Sequence, residues 1–177
     1  MDAILHINDL DVPISASMQW MIEYERATQK DALSAIRTIN EGSDGATEEI
    51  ISIAWAMAKV VNPKLTSLAA WFQTFQEGIS FQAFLAAIAP ILRSSMRQRI
   101  ALPESAEYAQ EAKRVESLSQ ALAGGLMRGL TVDDAKTLTY GQWMDICAAH
   151  NDLAKTDTGP KQGIRKATQA DFDKWRR

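Results

Sequence analysis

Cys147 and His150 are the residues whose spacing could most readily do chemistry: three apart on a helix, a thiol and an imidazole can meet. A catalytic pair of this kind needs a third, orienting group, and a zinc site needs about four ligands. The chain has one cysteine and two histidines, the second being His6 in an unrelated segment. Asp145 and Asp152 complete no recognised spacing, so the pair reads as a buried thiol beside a capping histidine. Glu23 and Glu25 point to different faces of one helix and make no carboxylate dyad, while Glu48 and Glu49 are acids suited to a helix N-terminus. Residues 123–125 (AGG) lack the Lys and Ser/Thr of a phosphate-binding loop. The expectation is a protein that is not an enzyme, with no catalytic residue, metal or cofactor.

Nucleic-acid binding is the next chemistry to weigh. Lys161, Arg165, Lys166, Lys174, Arg176 and Arg177 make the end of the chain basic, and Phe172 and Trp175 could stack on bases. Asp171 and Asp173 interrupt the same run, the net charge is −3, and no helix-turn-helix or comparable reader can be placed. A small helical regulator that binds nucleic acid through this tail is therefore the alternative reading, not the leading one. Charge is nevertheless unevenly laid out. Residues 1–60 carry 4 Lys/Arg against 10 Asp/Glu, residues 61–154 carry 8 against 9, and residues 155–177 carry 7 against 3. An acidic head and a basic end favour partners at both.

The elements that must position these groups are helical. Residues 48–61 (EEIISIAWAMAKVV) place Ile50, Ile53, Ala54, Met57 and Val61 on one face and Ile51, Trp55 and Ala58 beside it. A helix apolar over most of its girth is packed from several sides, and this one is too short and too flanked by charge to span a bilayer. It is the expected centre of an all-α core. Around it the spacing predicts helices over 16–28, 31–40, 65–76 and 81–100, the last running through Pro90 with a kink. Residues 3–12 alternate weakly and could be an extended arm or edge strand, closed by Pro13. Leu102 and Pro103 mark a boundary, followed by a polar connecting helix over 104–122 that three glycines in residues 121–130 break. Thr139 opens a short helix, and residues 156–163 (TDTGPKQG) have linker composition. The resulting organisation is a helical oligomerisation core (1–102), a connecting helix and Gly-rich hinge (103–130), a short helical segment (131–154) and a flexible basic tail (155–177). A single cysteine fits a reducing compartment, and residues 1–11 carry three acids and no basic stretch of a secretion signal.

Protein interaction is the remaining class. Trp143 and Trp175 lie on segments expected to be too small to bury them, and aromatic anchors on short helices commonly fill a partner's groove. Tyr140, Trp143, Ile146, Lys166, Phe172, Lys174, Trp175 and Arg176 are the expected protein-binding residues.

Residues 18–36, with Tyr24–Glu25 leading to Thr28–Gln29–Lys30–Asp31, then the Trp-bearing helix of residues 51–58 and the aromatic helix of 71–75, resemble the tail assembly chaperones of long-tailed, siphovirus-type bacteriophages. Residues 138–152 (LTYGQWMDICAAHND) resemble the segment found in their extended forms, which that family often makes by a ribosomal frameshift. The likeness covers most of residues 15–152, and Gln29 stands where a glycine-like step is more usual. It implies a non-enzymatic assembly factor that self-associates, coats the tape measure protein and recruits tail tube protein. Such a factor works in the host cytoplasm, needs no membrane, and is absent from the finished particle.

Overall fold

A computed structural model of the chain describes residues 2–7, 10–76, 81–98 and 117–156, and within them the irregular head is an antiparallel hairpin. Strand β1 (Asp2–Ile7) pairs with β2 (Leu10–Ser15), from Asp2 against Ser15 to Ile7 against Leu10. Side chains alternate across the pleat, so Ala3, Leu5, Val12 and Ile14 face inward, with Leu5 and Ile14 fully buried, while Ile4, His6, Asp11 and Pro13 face out. Two corrections follow. The fold is mostly helical but not purely all-α, and Pro13 does not close the segment but lies inside β2, opposite Ile4. A lone hairpin is marginal in water; this one holds because helices cover its inner face.

Those helices follow in order. Helix α1 (Gln19–Thr28) ends at Gln29, whose left-handed φ of 59° turns its N–H back to Glu25 O at 2.9 Å. Helix α2 (Ala32–Glu41) starts on Asp31, whose Oδ1 accepts from Ser34 N at 2.8 Å, and stops at Gly42, also left-handed. Helix α3 (Ala46–Val61) carries Glu48 and Glu49 in its first turn and ends at Asn62, which precedes Pro63 and is steered away from helical angles. It is the centre of the fold: β2, α1 and α2 all pack on it, and Ile50, Ile53, Ala54, Trp55 and Met57 are buried. Val61, expected on the same face, is exposed in the last turn. The Trp55 indole N–H donates to Thr66 O at 2.9 Å, and Lys59 lies over the ring.

Helix α4 (Leu68–Gln76) begins three residues later than its apolar pattern, because Ser67 accepts from Ala70 N and sets the start there. Helix α5 (Phe81–Met96) continues through an exposed Pro90 and buries Phe84, Ile88 and Leu92. Near its end the buried Ser95 hydroxyl accepts from the Trp20 indole at 3.2 Å and donates to Ala16 O at 2.9 Å, joining α5 to the start of α1. The boundary at Leu102 and Pro103, residues 104–116 of the connecting helix, and the tail from 157 lie outside the described residues.

Helix α6 (Leu118–Leu126) is capped by Ser117 and runs through Gly124 and Gly125, which were expected to break it. Glycine costs a helix about 1 kcal/mol against alanine, but position 125 has no room for a side chain. A Cβ there would lie 2.1 Å from the Trp143 ring. Only Gly129, at a φ of 89°, ends the turn. A 3-10 turn (Asp134–Lys136) then leads to α7 (Tyr140–Thr156). Thr139 and Gln142 form a reciprocal cap: Gln142 N donates to Thr139 Oγ1 at 3.2 Å, and Thr139 N donates to Gln142 Oε1 at 2.9 Å. Leu118, Ala121, Ala135, Trp143 and Cys147 belong to the same buried cluster as Trp20, Ile53 and Ile88.

Candidate interaction surface

The residues first considered for catalysis do other things. Cys147 is buried, and burial pushes its thiol up, against a smaller opposite pull from Arg128. A thiol shifted that way is a poor nucleophile. His150 is exposed. His6 meets Asp11 at 2.6 Å across the hairpin's outer face. Glu23 pairs with Arg26 at 2.6 Å, whereas Glu25 Oε1 accepts from Ala32 N at 3.1 Å. Among the described residues no three His, Cys, Asp or Glu side chains are grouped to hold a metal ion. No described helix is long and apolar enough to cross a membrane.

Tyr24, Glu25, Lys30 and Asp31 in the stretch from Tyr24 to Asp31 hold the fold together. The buried Tyr24 hydroxyl donates to Glu49 Oε2. Lys30 Nζ reaches Glu49 Oε1 at 2.7 Å and Glu48 Oε1 at 3.8 Å. A carboxylate as enclosed as Glu49 is tolerable only with such partners. Burial, then the hydrogen bond and charge of Glu49, push the Tyr24 phenol up, and the Glu49 hydrogen bond raises the Lys30 ammonium. Burial raises the Glu25 carboxyl, with its bond to Ala32 N pulling the other way. Asp31 behaves differently. Burial alone would raise it, but N–H groups of Leu118 and Ser34 hold it below the usual carboxylate range. Its second oxygen, Oδ2, accepts from Leu118 N at 2.9 Å, so one carboxylate starts both α2 and α6.

The expected binding residues divide. Trp143 is fully buried, its indole N–H donating to Ala121 O at 2.9 Å, so the expectation of a surface anchor is corrected. The segment carrying it is short, yet α6 fits against the indole at Ala121 and Gly125. Gly141, two residues earlier and on another face of α7, sits where a Cβ would meet Arg97 O at 2.0 Å. Tyr140 is half-buried, and burial pushes its phenol up to about 12. Ile146 is 38% exposed on the outer side of α7. Lys166, Phe172, Lys174, Trp175 and Arg176 lie outside the described residues.

Four surface residues were missed. Met127 is 86% exposed, Leu153 70%, Val132 58%, and Leu126 is half-exposed. With Ile146 they place most of the large exposed apolar side chains of the described residues between 126 and 153; the others are Ile4 and Val61. Ile146 and Leu153, seven apart, share one face of α7. Arg128 donates to Asn151 Oδ1 at 2.8 Å and to Gly124 O at 2.7 Å, which fastens the end of α6, with Leu126 and Met127, to the Leu153 end of α7. The only sequence signal for Leu126, Met127 and Val132 is apolar residues around glycines, which reads equally as a hinge.

No protein-family model, curated protein or solved structure matches this chain.

Proposed function

We propose that this chain is a non-catalytic assembly factor of the tail assembly chaperone kind: it self-associates, coats the tape measure protein and recruits tail tube protein in the host cytoplasm, and it leaves before the particle is complete. The resemblance of residues 15–152 supplies the identity of the clients. The observation that carries the reading is the collection of Leu126, Met127, Val132, Ile146 and Leu153 at the surface of α6, α7 and the turn that joins them, in and beside the segment that resembles the extended forms. Exposed apolar side chains gathered in this way mark interaction sites more often than bare surface. A client made of long apolar helices is shielded by docking such faces against it.

The test is capture of tail tube protein and of a tape measure fragment by the full chain. Met127→Glu with Leu153→Glu is expected to reduce capture at least tenfold while leaving the thermal melt unchanged, since neither side chain is buried. Undiminished capture by the double variant would remove α6 and α7 from the binding surface. Oligonucleotide binding that weakens steeply with salt, in place of client capture, would favour the nucleic-acid reading.

A further inference from the structure

The two outer edges of the hairpin differ. In an antiparallel ladder, facing residues alternate between pairs that exchange N–H···O=C bonds and pairs whose backbone groups point away from each other. Pro13 faces Ile4, and proline has no N–H to exchange. Their pair is therefore of the second kind. Ile4 directs its N–H and C=O away from β2, as do Asp2 and His6, two residues to either side. On β2 the outward positions are Asp11, Pro13 and Ser15, and the proline deletes the central donor. Proline at an edge is one way in which proteins stop a sheet from growing. The outer edge of β1 has no such block, and among the described residues no further strand pairs with it. Its central side chain, Ile4, is 53% exposed and His6 is exposed beside it.

We propose that this edge of β1 pairs, antiparallel and centred on Ile4, with the same edge of a second copy of the chain. Self-complementarity selects a second copy over another protein. A two-fold axis through facing Ile4 residues brings the outward N–H and C=O groups at positions 2, 4 and 6 of each copy into register with the same three positions, reversed, of the other. The same register sets Ala3 against Leu5 on the inner, apolar face. Two hairpins become one four-stranded sheet, and the Pro13 edges left outside halt further addition. The contact closes as a dimer rather than running on as a fibre. It supplies the contact for the self-association in the proposed function, resting on that reading for its purpose and on the hairpin for its geometry.

Sedimentation velocity of the full chain at micromolar concentration tests it. The wild type is expected to sediment as a dimer. Ile4→Lys, which sets two like charges face to face, and Ile4→Pro, which copies the Pro13 block, are expected to sediment as monomers that still unfold cooperatively, with a melt that no longer rises with protein concentration. In a Cys147→Ser background, Ile4→Cys should cross-link two copies on oxidation, because facing Cα atoms in a hydrogen-bonded pair lie about 5.5 Å apart, within disulfide reach. Pro13→Cys in the same background should not. A monomeric wild type, a dimer indifferent to Ile4→Lys, or Ile4→Cys that stays uncross-linked each overturns the proposal. An Ile4-dependent dimer that captures no tail protein would sink the functional reading and leave this one standing.

Discussion

The indole of Trp143 occupies the space that a side chain at position 125 would need: a Cβ on Gly125 would lie 2.1 Å from Trp143 Cζ2. The same indole donates its N–H to Ala121 O, one turn earlier in α6. The helix carrying the glycine and the helix carrying the tryptophan are thus cut to each other. Gly125→Ala gains roughly 1 kcal/mol of helix propensity. It should nevertheless lower stability by about 1–2 kcal/mol, because forcing atoms into a filled site costs more than that gain. Trp143→Ala should cost about 3–5 kcal/mol. In urea titrations the double variant should lose less than the sum of the two, since the clash disappears with the ring. Strict additivity would mean that the two residues do not touch.

Asp31 gives a pH signature. Its folded carboxyl is held below the ordinary range by N–H groups of Leu118 and Ser34, so the stability it adds is present above the unfolded pKa of 3.8 and is lost as pH falls through the lower folded value. Glu25, pushed up by burial, runs the other way, so the Asp31 contribution is read as the difference between wild type and Asp31→Asn. That difference should shrink below pH 4. Asp31→Ala at neutral pH should cost about 1–2 kcal/mol, the upper part of the range for one cap, because two helix starts lose an acceptor. A loss that is flat from pH 3 to pH 7 would contradict the double-cap geometry.

Gln29 is the one described residue other than glycine with positive φ, at 59°. A left-handed residue with a Cβ costs about 1–2 kcal/mol, partly offset in the unfolded chain where glycine is freer by about 0.5–1 kcal/mol. Gln29→Gly should therefore stabilise by about 0.5–1 kcal/mol, seen as a higher denaturation midpoint at unchanged slope. Destabilisation would show that the bond from Gln29 Nε2 to Arg26 O, at 3.0 Å, outweighs the backbone term.

Trp55 packs the centre of α3 and ties it to the following loop through Thr66 O. Trp55→Ala should cost about 3–5 kcal/mol through lost burial and the cavity left behind. Trp55→Phe, which keeps most of the apolar area but leaves the Thr66 carbonyl short of a donor, should cost about 1–3 kcal/mol. Thermal unfolding that separates these two variants by less than measurement error would argue against a buried indole.

What the amino-acid order determined alone is what local physics controls. The 3.6 period of Ile50, Ile53, Ala54 and Met57 marks α3 because one face of one helix is involved. Asp31 before α2, Asn62–Pro63 after α3, and Thr139 with Gln142 before α7 are legible because a cap and its recipient lie within four residues. Tertiary structure decided the rest, through contacts between residues far apart in the chain. Gly124 and Gly125 signal a break until Trp143, 18 positions on, fills the space a side chain would take. Trp143 looks stranded on a short segment until α6 closes over it at Ala121 and Gly125. The second bond of Asp31, to Leu118, spans 87 positions. The hairpin is ambiguous because a two-stranded sheet is held by the helices under its inner face, and nothing in residues 2–15 encodes those helices. With Trp143 drawn inward, the exposed apolar surface passes to Met127 and Leu153, and exposure of that kind depends on how whole helices are stacked.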